Sequence, residues 1–228
     1  MFKVGIVGWR GMVGSVLIQR MHEENDFESI DAHFFSTSQS GEKVNILNSQ
    51  ESSLLDAFDI DELIKMDILL SCQGGDYTKK ILNALRDKGW SGHWIDAAST
   101  LRMNSDAMIV LDPINKDAIN TAIKAGNKNW VGGNCTVSLM LLAIHGLFKN
   151  NLVEWVSSMT YQAASGAGAQ NMKELLIQMG ELSESLNNIK PDSNILDLDN
   201  DVQLTMNSEK FTKKLFTAPL AGSLIPWI

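Results

Sequence analysis

Cys135 is the residue best placed to do chemistry. The run Gly132-Gly133-Asn134-Cys135-Thr136 opens a strongly apolar segment of helical period, which puts the sulfur at or next to a helix N-terminus. Unpaired amides and the positive end of the helix dipole stabilise a thiolate there. A thiolate attacks an acyl carbon, and the neighbouring backbone N–H groups receive the oxyanion that develops. Asn134 adds a side-chain donor at the same place. The competing reading, a small apolar residue tucked under a helix start, is common for a free cysteine. The Gly-Gly-Asn approach weighs towards the nucleophile. Cys72, at the end of the apolar run 67–72, reads as structural.

A second constellation lies at the N-terminus. A strand at 3–8 leads into Gly8-Trp9-Arg10-Gly11-Met12-Val13-Gly14, which opens a helix. Glycines three apart let the backbone turn tightly and approach a pyrophosphate, and the helix start supplies N–H donors. A turn made glycine-rich for packing alone is the alternative; its place between the first strand and first helix favours a nucleotide. An NAD site usually puts a carboxylate at the end of the second strand. Here that strand ends Phe35-Ser36-Thr37-Ser38, and Arg10 is near enough to sit over a 2′-phosphate, which points to NADP. The loop Ser71-Cys72-Gln73-Gly74-Gly75-Asp76 leaves another strand's carboxyl end and offers Gln73 to the cofactor.

Three further residue types need weighing. Arg102 reads either as a clamp for phosphate or carboxylate, which a guanidinium fork matches, or as a solvated surface arginine. Gln162 either orients a substrate or bonds only backbone. The four histidines, His22, His33, His93 and His145, fit poorly as a general base. His145 lies ten residues beyond Cys135, about 15 Å along a helix axis. No convincing base is visible.

The elements that must position these residues alternate. Strands are expected at 3–8, 33–37, 67–72, 93–96, 108–111 and 129–131. Helices are expected at 11–24, with Val13, Val16, Leu17 and Met21 on one face, at 76–88, with Tyr77, Ile81, Leu82 and Leu85 inward, and at 115–125. Such alternation predicts an α/β fold, a Rossmann-type doubly wound parallel sheet over residues 1–132. From 133 the pattern changes to an apolar helix at 136–149, a longer strand at 153–162, a Gly-rich turn at 165–169 and an amphipathic helix at 171–186. Met172, Leu175, Leu176, Met179, Leu182 and Leu186 form that helix's apolar stripe. Residues 187–217 are polar with weak strand or helix signal. The second domain, 133–228, reads as an incomplete α+β unit, and the apolar ending Leu224-Ile225-Pro226-Trp227-Ile228 reads as cut rather than finished.

Composition bounds the partners. A hydrophobic share of 44% with 20% charged residues is that of a globular protein. A net charge of −8 without a Lys/Arg run argues against nucleic acid. No apolar stretch reaches membrane-spanning length, and the first strand begins at once, so the cytoplasm is expected. Two cysteines make no disulfide framework and lack metal-ligand spacing.

GWRGMVGSVL at 8–17, FFSTSQ at 34–39, CQGGDYT at 72–78, WIDAASTLRM at 94–103, GGNCTVSLML at 132–141, TYQAASGAGA at 160–169 and PLAGSLIPWI at 219–228 resemble aspartate-β-semialdehyde dehydrogenases of the Gram-negative bacterial type. The resemblance implies NADPH-dependent reduction of L-aspartyl-4-phosphate to L-aspartate 4-semialdehyde and phosphate, the branch point towards lysine, threonine, methionine and diaminopimelate. It makes Cys135 the acyl-thioester nucleophile, gives Gln162 to the substrate, and gives Arg102 the phosphate with Asn134 beside it. It assigns NADP to Arg10, Gly11, Met12, Val13, Thr37, Ser38, Gln73, Ser165, Gly166, Ala167, Gly168, Ala169 and Pro191. It implies no metal and, for the intact protein, a homodimer joined through the catalytic domain. Members of this family continue past PLAGSLIPWI and carry their proton-transferring histidine and substrate-carboxylate arginine there. A C-terminally shortened chain with little turnover is therefore expected. The rivals are a non-catalytic nucleotide-binding remnant and a related acyl-phosphate reductase of the N-acetyl-glutamyl-phosphate type.

Overall fold

The computed structural model describes residues 1–47, 50–187, 189 and 192–226. They pack as two units, Met1–Val156 and the residues from Ser157 onward. Helix 135–149 belongs with the first unit, so the structural division falls later than the change of pattern at residue 132.

The first unit is built on a seven-stranded sheet. Its strands are β1 (Phe2–Val7), β2 (Ile30–Ser36), β5 (Leu55–Asp56), β6 (Ile68–Ser71), β7 (His93–Asp96), β8 (Ala107–Val110) and β9 (Asn129–Gly132). They lie in the order β5-β2-β1-β6-β7-β9-β8, and every pair is parallel. Between β2 and β5 a short antiparallel pair, β3 (Lys43–Leu47) and β4 (Gln50–Ser53), forms a separate ribbon. The helices are α1 (Met12–Glu23), α2 (Ile60–Leu63), α3 (Gly75–Asp87), α4 (Lys116–Lys124) and α5 (Cys135–Lys149). The steps β1-α1-β2 and β8-α4-β9 run towards β5, whereas β6-α3-β7 runs the other way. Right-handed crossovers therefore put α1 and α4 on one face and α3 on the other.

Burial follows the period-2 alternation of the strands. Val7, Phe35, Leu69, Trp94 and Val131 meet Tyr77, Ile81, Leu82 and Leu85 of α3, the four residues expected inward. Val4, Ile6 and Phe34 face Met21 of α1, with Leu17 and Ile18 beside them. Val13 and Val16, expected on that inner face, are instead exposed, because α1 rolls its Leu17-Ile18-Met21 edge onto the sheet. Between α1 and α4 the sheet carries a groove of about 1180 Å³ lined by Leu70, Ile95, Val110, Ile123 and Trp130 among others.

Residues 153–162, expected as a strand, form none. A strand exists only through its ladder, and no described strand lies alongside. Val156, Met159 and Tyr161 are exposed.

The second unit carries α6 (Ala169–Ser185) and α7 (Ile195–Asn207). α6 corrects the expected apolar stripe: Leu176 and Met179 are exposed at 64% and 54%, while Glu174 and Gln178 are buried. The cause is the chain that wraps it. Glu174 accepts from the Leu215 and Phe216 amides, and Gln178 Oε1 accepts from the Leu220 and Ala221 amides. Gln178 Nε2 donates to the Thr212 carbonyl, and Glu181 accepts from Thr212. A segment without secondary structure must find partners for its buried amides, and α6 supplies them. Phe211, Phe216 and Ala221 are buried with it.

Candidate active site

Ligands of open α/β sheets gather outside the carboxyl ends of the strands, and the expected site residues of the first unit leave β1, β2, β6, β7 and β9 at those ends. Gly8 turns the chain with φ +77°, and a Cβ there would stand 2.6 Å from the Cys72 carbonyl carbon. A Cβ on Gly14 would stand 2.2 Å from the Gly8 oxygen. Both glycines are demanded by close backbone approach, so the loop is as tight as a pyrophosphate turn requires. α1 begins at Met12 with Gly11 as N-cap and no side-chain cap bond, which leaves its first amides available to an anion. Met12 and Val13 are exposed there.

Arg10 lies over the Trp9 ring, 5.0 Å from its centroid, and its Nη2 donates to Ser36 Oγ at 3.1 Å. The same oxygen accepts from the Ser38 and Gln39 amides at 3.3 and 3.0 Å. Arg10, Ser38 and half-buried Thr37 thus converge at the exit of β2. Buried Ser36 ties them together; its place just before Thr37-Ser38 was the sequence signal for it.

Gln73 is exposed beside Gly74, whose φ is +101°. Cys72 is inert by environment. Burial, with Asp96 nearby, pushes its thiol up to about 11. The unfolded thiol ionises first, so stability is lost as pH rises from about 9 towards 11. Asp96, fully buried at the end of β7, accepts from Thr78 Oγ1 at 2.6 Å, the Ala98 amide at 2.8 Å and Trp94 Nε1 at 3.3 Å. It pins the start of α3 to the loop that carries Arg102. A strand-ending aspartate was its only sequence signal.

Cys135 is exposed and is the first residue of α5. Asn134 is the N-cap, its Oδ1 accepting from the Val137 amide at 3.0 Å. The Asn134 carbonyl side is therefore spent on the helix, and only its NH₂ remains for the expected donor role. Arg102 is not the freely solvated arginine of the alternative reading: Nε donates to the Gly132 oxygen at 2.9 Å and Nη2 to the Gly133 oxygen at 3.1 Å. His22 and His33 lie on α1 and β2, and His93 lies at the amino end of β7. There its Nδ1 accepts from Trp130 Nε1. His145 lies well along α5. None is placed at the start of α5.

In the second unit, Gln162 is exposed and donates to Thr160 Oγ1 at 3.2 Å. Ser165, Gly166 and Ala167 form a 3₁₀ turn (Ala164–Ala167), and Gly168, with φ +103°, caps α6, which begins at Ala169 without a side-chain cap. Pro191 lies outside the described residues. Among the described residues, no group of three metal-ligating side chains occurs, and no helix is long and apolar enough to cross a membrane.

Residues 3–122 match the family model of the semialdehyde dehydrogenase NAD binding domain, and residues 144–228 match the semialdehyde dehydrogenase dimerisation domain. Among solved structures, the aspartate semialdehyde dehydrogenase from Francisella tularensis is 53% identical with a TM-score of 0.92. The alignment covers 100% of this chain and 62% of that one. The aspartate semialdehyde dehydrogenase II from Vibrio cholerae, solved with ASA, is 22% identical with a TM-score of 0.71, covering 100% of this chain and 59% of its own, and shows the shared fold. The chain therefore spans about three-fifths of the length of these relatives. With a glycine-turned nucleotide loop, an exposed cysteine heading α5 and both halves matched by the family's two models, the chain belongs to the semialdehyde dehydrogenase family.

Proposed function

We propose that this chain carries the NADP-binding domain and the beginning of the catalytic and dimerisation domain of an aspartate-β-semialdehyde dehydrogenase. On this reading the first domain spans residues 1–132 and the second starts at 133. The reaction is reductive dephosphorylation of L-aspartyl-4-phosphate. The observation that carries the reading is Cys135, exposed as the first residue of α5, with Arg102 bonded to the two glycines before it.

The chemistry runs in two displacements. The Cys135 thiolate attacks the acyl carbon; the carbon–sulfur bond forms as the bond to phosphate breaks, leaving a thioester. Amides at the start of α5 receive the oxyanion, and Arg102, with Asn134 beside it, takes the departing phosphate. The chemistry that NADPH would supply, held there, is a hydride for the thioester carbon. Cys135 then leaves as thiolate and the aldehyde is released. Arg10, Gly11, Met12, Val13, Thr37, Ser38 and Gln73 hold the dinucleotide from the first unit. The family likeness adds Ser165, Gly166, Ala167, Gly168, Ala169 and Pro191, and gives Gln162 to the substrate. Free thiols at Cys72 and Cys135 suit a reducing compartment such as the cytoplasm.

Because no described histidine stands at the start of α5, acylation outpaces turnover in the 228-residue chain. Incubation with aspartyl phosphate should add one aspartyl group to Cys135 by mass spectrometry and none to Cys135→Ser. Steady-state reduction should remain near background. An unmodified Cys135 overturns the nucleophile; rapid turnover overturns the claim that a base is lacking.

A further inference from the structure

The Arg102 guanidinium holds two backbone carbonyls. Its Nε and Nη2 hold the carbonyl oxygens of Gly132 and Gly133, at 2.9 and 3.1 Å. These are the last two peptide carbonyls before Asn134, which caps α5, and Cys135, which begins it. A planar fork gripping two successive carbonyls fixes the orientation of both peptide planes. In a trans peptide the N–H lies opposite the C=O, so the fork turns the Gly133 and Asn134 amide hydrogens away from itself.

Both sides of this arrangement are anchored. Leu101, next to Arg102, is buried in the core, and the Arg102 amide donates to the Ser99 oxygen at 3.0 Å. Across the turn, a Cβ on Gly133 would stand 2.5 Å from Ser138 Oγ on α5. The turn is therefore pinned between the β7 loop and the first coil of α5. Neither the phosphate role implied by family likeness nor the surface-arginine reading calls for these two bonds.

We infer that Arg102 is a positioning residue for the nucleophile: by fixing the Gly132 and Gly133 carbonyls it sets the two peptide planes that lead into Cys135 at the head of α5. Its remaining N–H groups are left for an anion, so one side chain couples thiolate presentation to phosphate departure. This rests on the proposed role of Cys135. Lysine cannot replace it, because a single ammonium is a point donor without a fork.

The test uses the full 228-residue chain as wild type, Arg102→Ala and Arg102→Lys, each checked for folding by near-UV circular dichroism. Iodoacetamide labelling at neutral pH is mapped to Cys135, with half-buried Cys72, whose thiol is pushed up to about 11, as the slow internal reference. Amide hydrogen exchange is followed at Gly133 and Asn134. Both variants should label Cys135 about tenfold more slowly, the size of one lost charge-assisted hydrogen bond. Both should exchange the two amides faster, and guanidinium ion should partly restore labelling in Arg102→Ala. If Arg102→Lys labels like wild type, charge alone suffices and the positioning role falls; it falls equally if added guanidinium restores nothing. Should Arg102→Ala fail to fold, Arg102→Lys alone decides. A wild-type Cys135 no faster than a peptide thiol would remove the nucleophile reading instead. The exchange data then still judge the fork, and unchanged protection in the variants overturns it.

Discussion

The proposed preference of the first unit for NADP rests on Arg10 and Ser36. The 3.1 Å bond between them parks a guanidinium at the exit of β2, where the adenosine ribose of a bound dinucleotide lies in this kind of sheet. A 2′-phosphate gains a charge-assisted bond from Arg10 and hydroxyl donors from Thr37 and Ser38, whose neighbouring amides are held by Ser36 Oγ, whereas a 2′-hydroxyl gains little. A charge-assisted bond is worth about 1.5–3 kcal/mol, so NADPH should bind this chain at least about tenfold more tightly than NADH. Arg10→Ala should erase most of that margin by weakening NADPH alone. Fluorescence titration of both nucleotides checks this, and equal affinities in the wild type would remove the argument for NADP. The stacking of Arg10 on Trp9 at 5.0 Å makes its geometry less mobile than that of a typical surface arginine.

At the scale of elements, the β1–α1 turn is the most constrained. A methyl group on Gly14 would meet the Gly8 oxygen at 2.2 Å, backbone against backbone, so Gly14→Ala should cost about 1–3 kcal/mol and lower the urea midpoint. Gly146, inside α5, has nothing within 4 Å of its missing Cβ, so Gly146→Ala should stabilise by about 0.5–1 kcal/mol. Equal effects of the two substitutions on the denaturation midpoint would show that the turn is not the tight point. Gly8 and Gly14 were legible because the strand-turn-helix pattern and their spacing share one cause. The strands β1, β6, β7 and β9 were legible too, since each carries a short apolar segment between polar or glycine-rich turns. What the sequence hid was what depends on a distant partner. The β3–β4 ribbon and the two-residue β5 are too short and polar to show a period. The stretch 153–162 has strand composition but no described neighbour to pair with. α6 hides its buried Glu174 and Gln178 behind a stripe of leucine and methionine, because the partners of those polar atoms lie some forty residues away. At the site, Cys135 and its cap were readable from Gly-Gly-Asn-Cys. The grip of Arg102 on Gly132 and Gly133 was not, since only the β7-β9 pairing brings them together.

For the whole molecule, surface chemistry decides association. Along α5 Leu139 is 69% exposed, with Leu142, Leu147 and Phe148 also open to solvent, and just beyond it Leu152 and Trp155 are exposed at 71% and 76%. Monomers seldom leave so many large apolar side chains uncovered along one segment, and the backbone of residues 153–162 forms no ladder with a described strand, which invites strand addition by another chain. The part of the chain matched by the dimerisation-domain model begins at residue 144, inside this same stretch. The net charge of −8 opposes association only weakly at physiological salt, where the Debye length is about 8 Å. The chain should therefore sediment as a dimer or larger species, above its 25.1 kDa monomer mass, at micromolar concentration. Replacing Leu139 and Trp155 together by aspartate should shift it towards monomer without lowering the melting temperature, because both side chains are exposed. A monodisperse wild-type monomer in sedimentation velocity would mean that this face is satisfied by the chain alone. If the double variant associates as strongly as wild type, the contact lies on another surface.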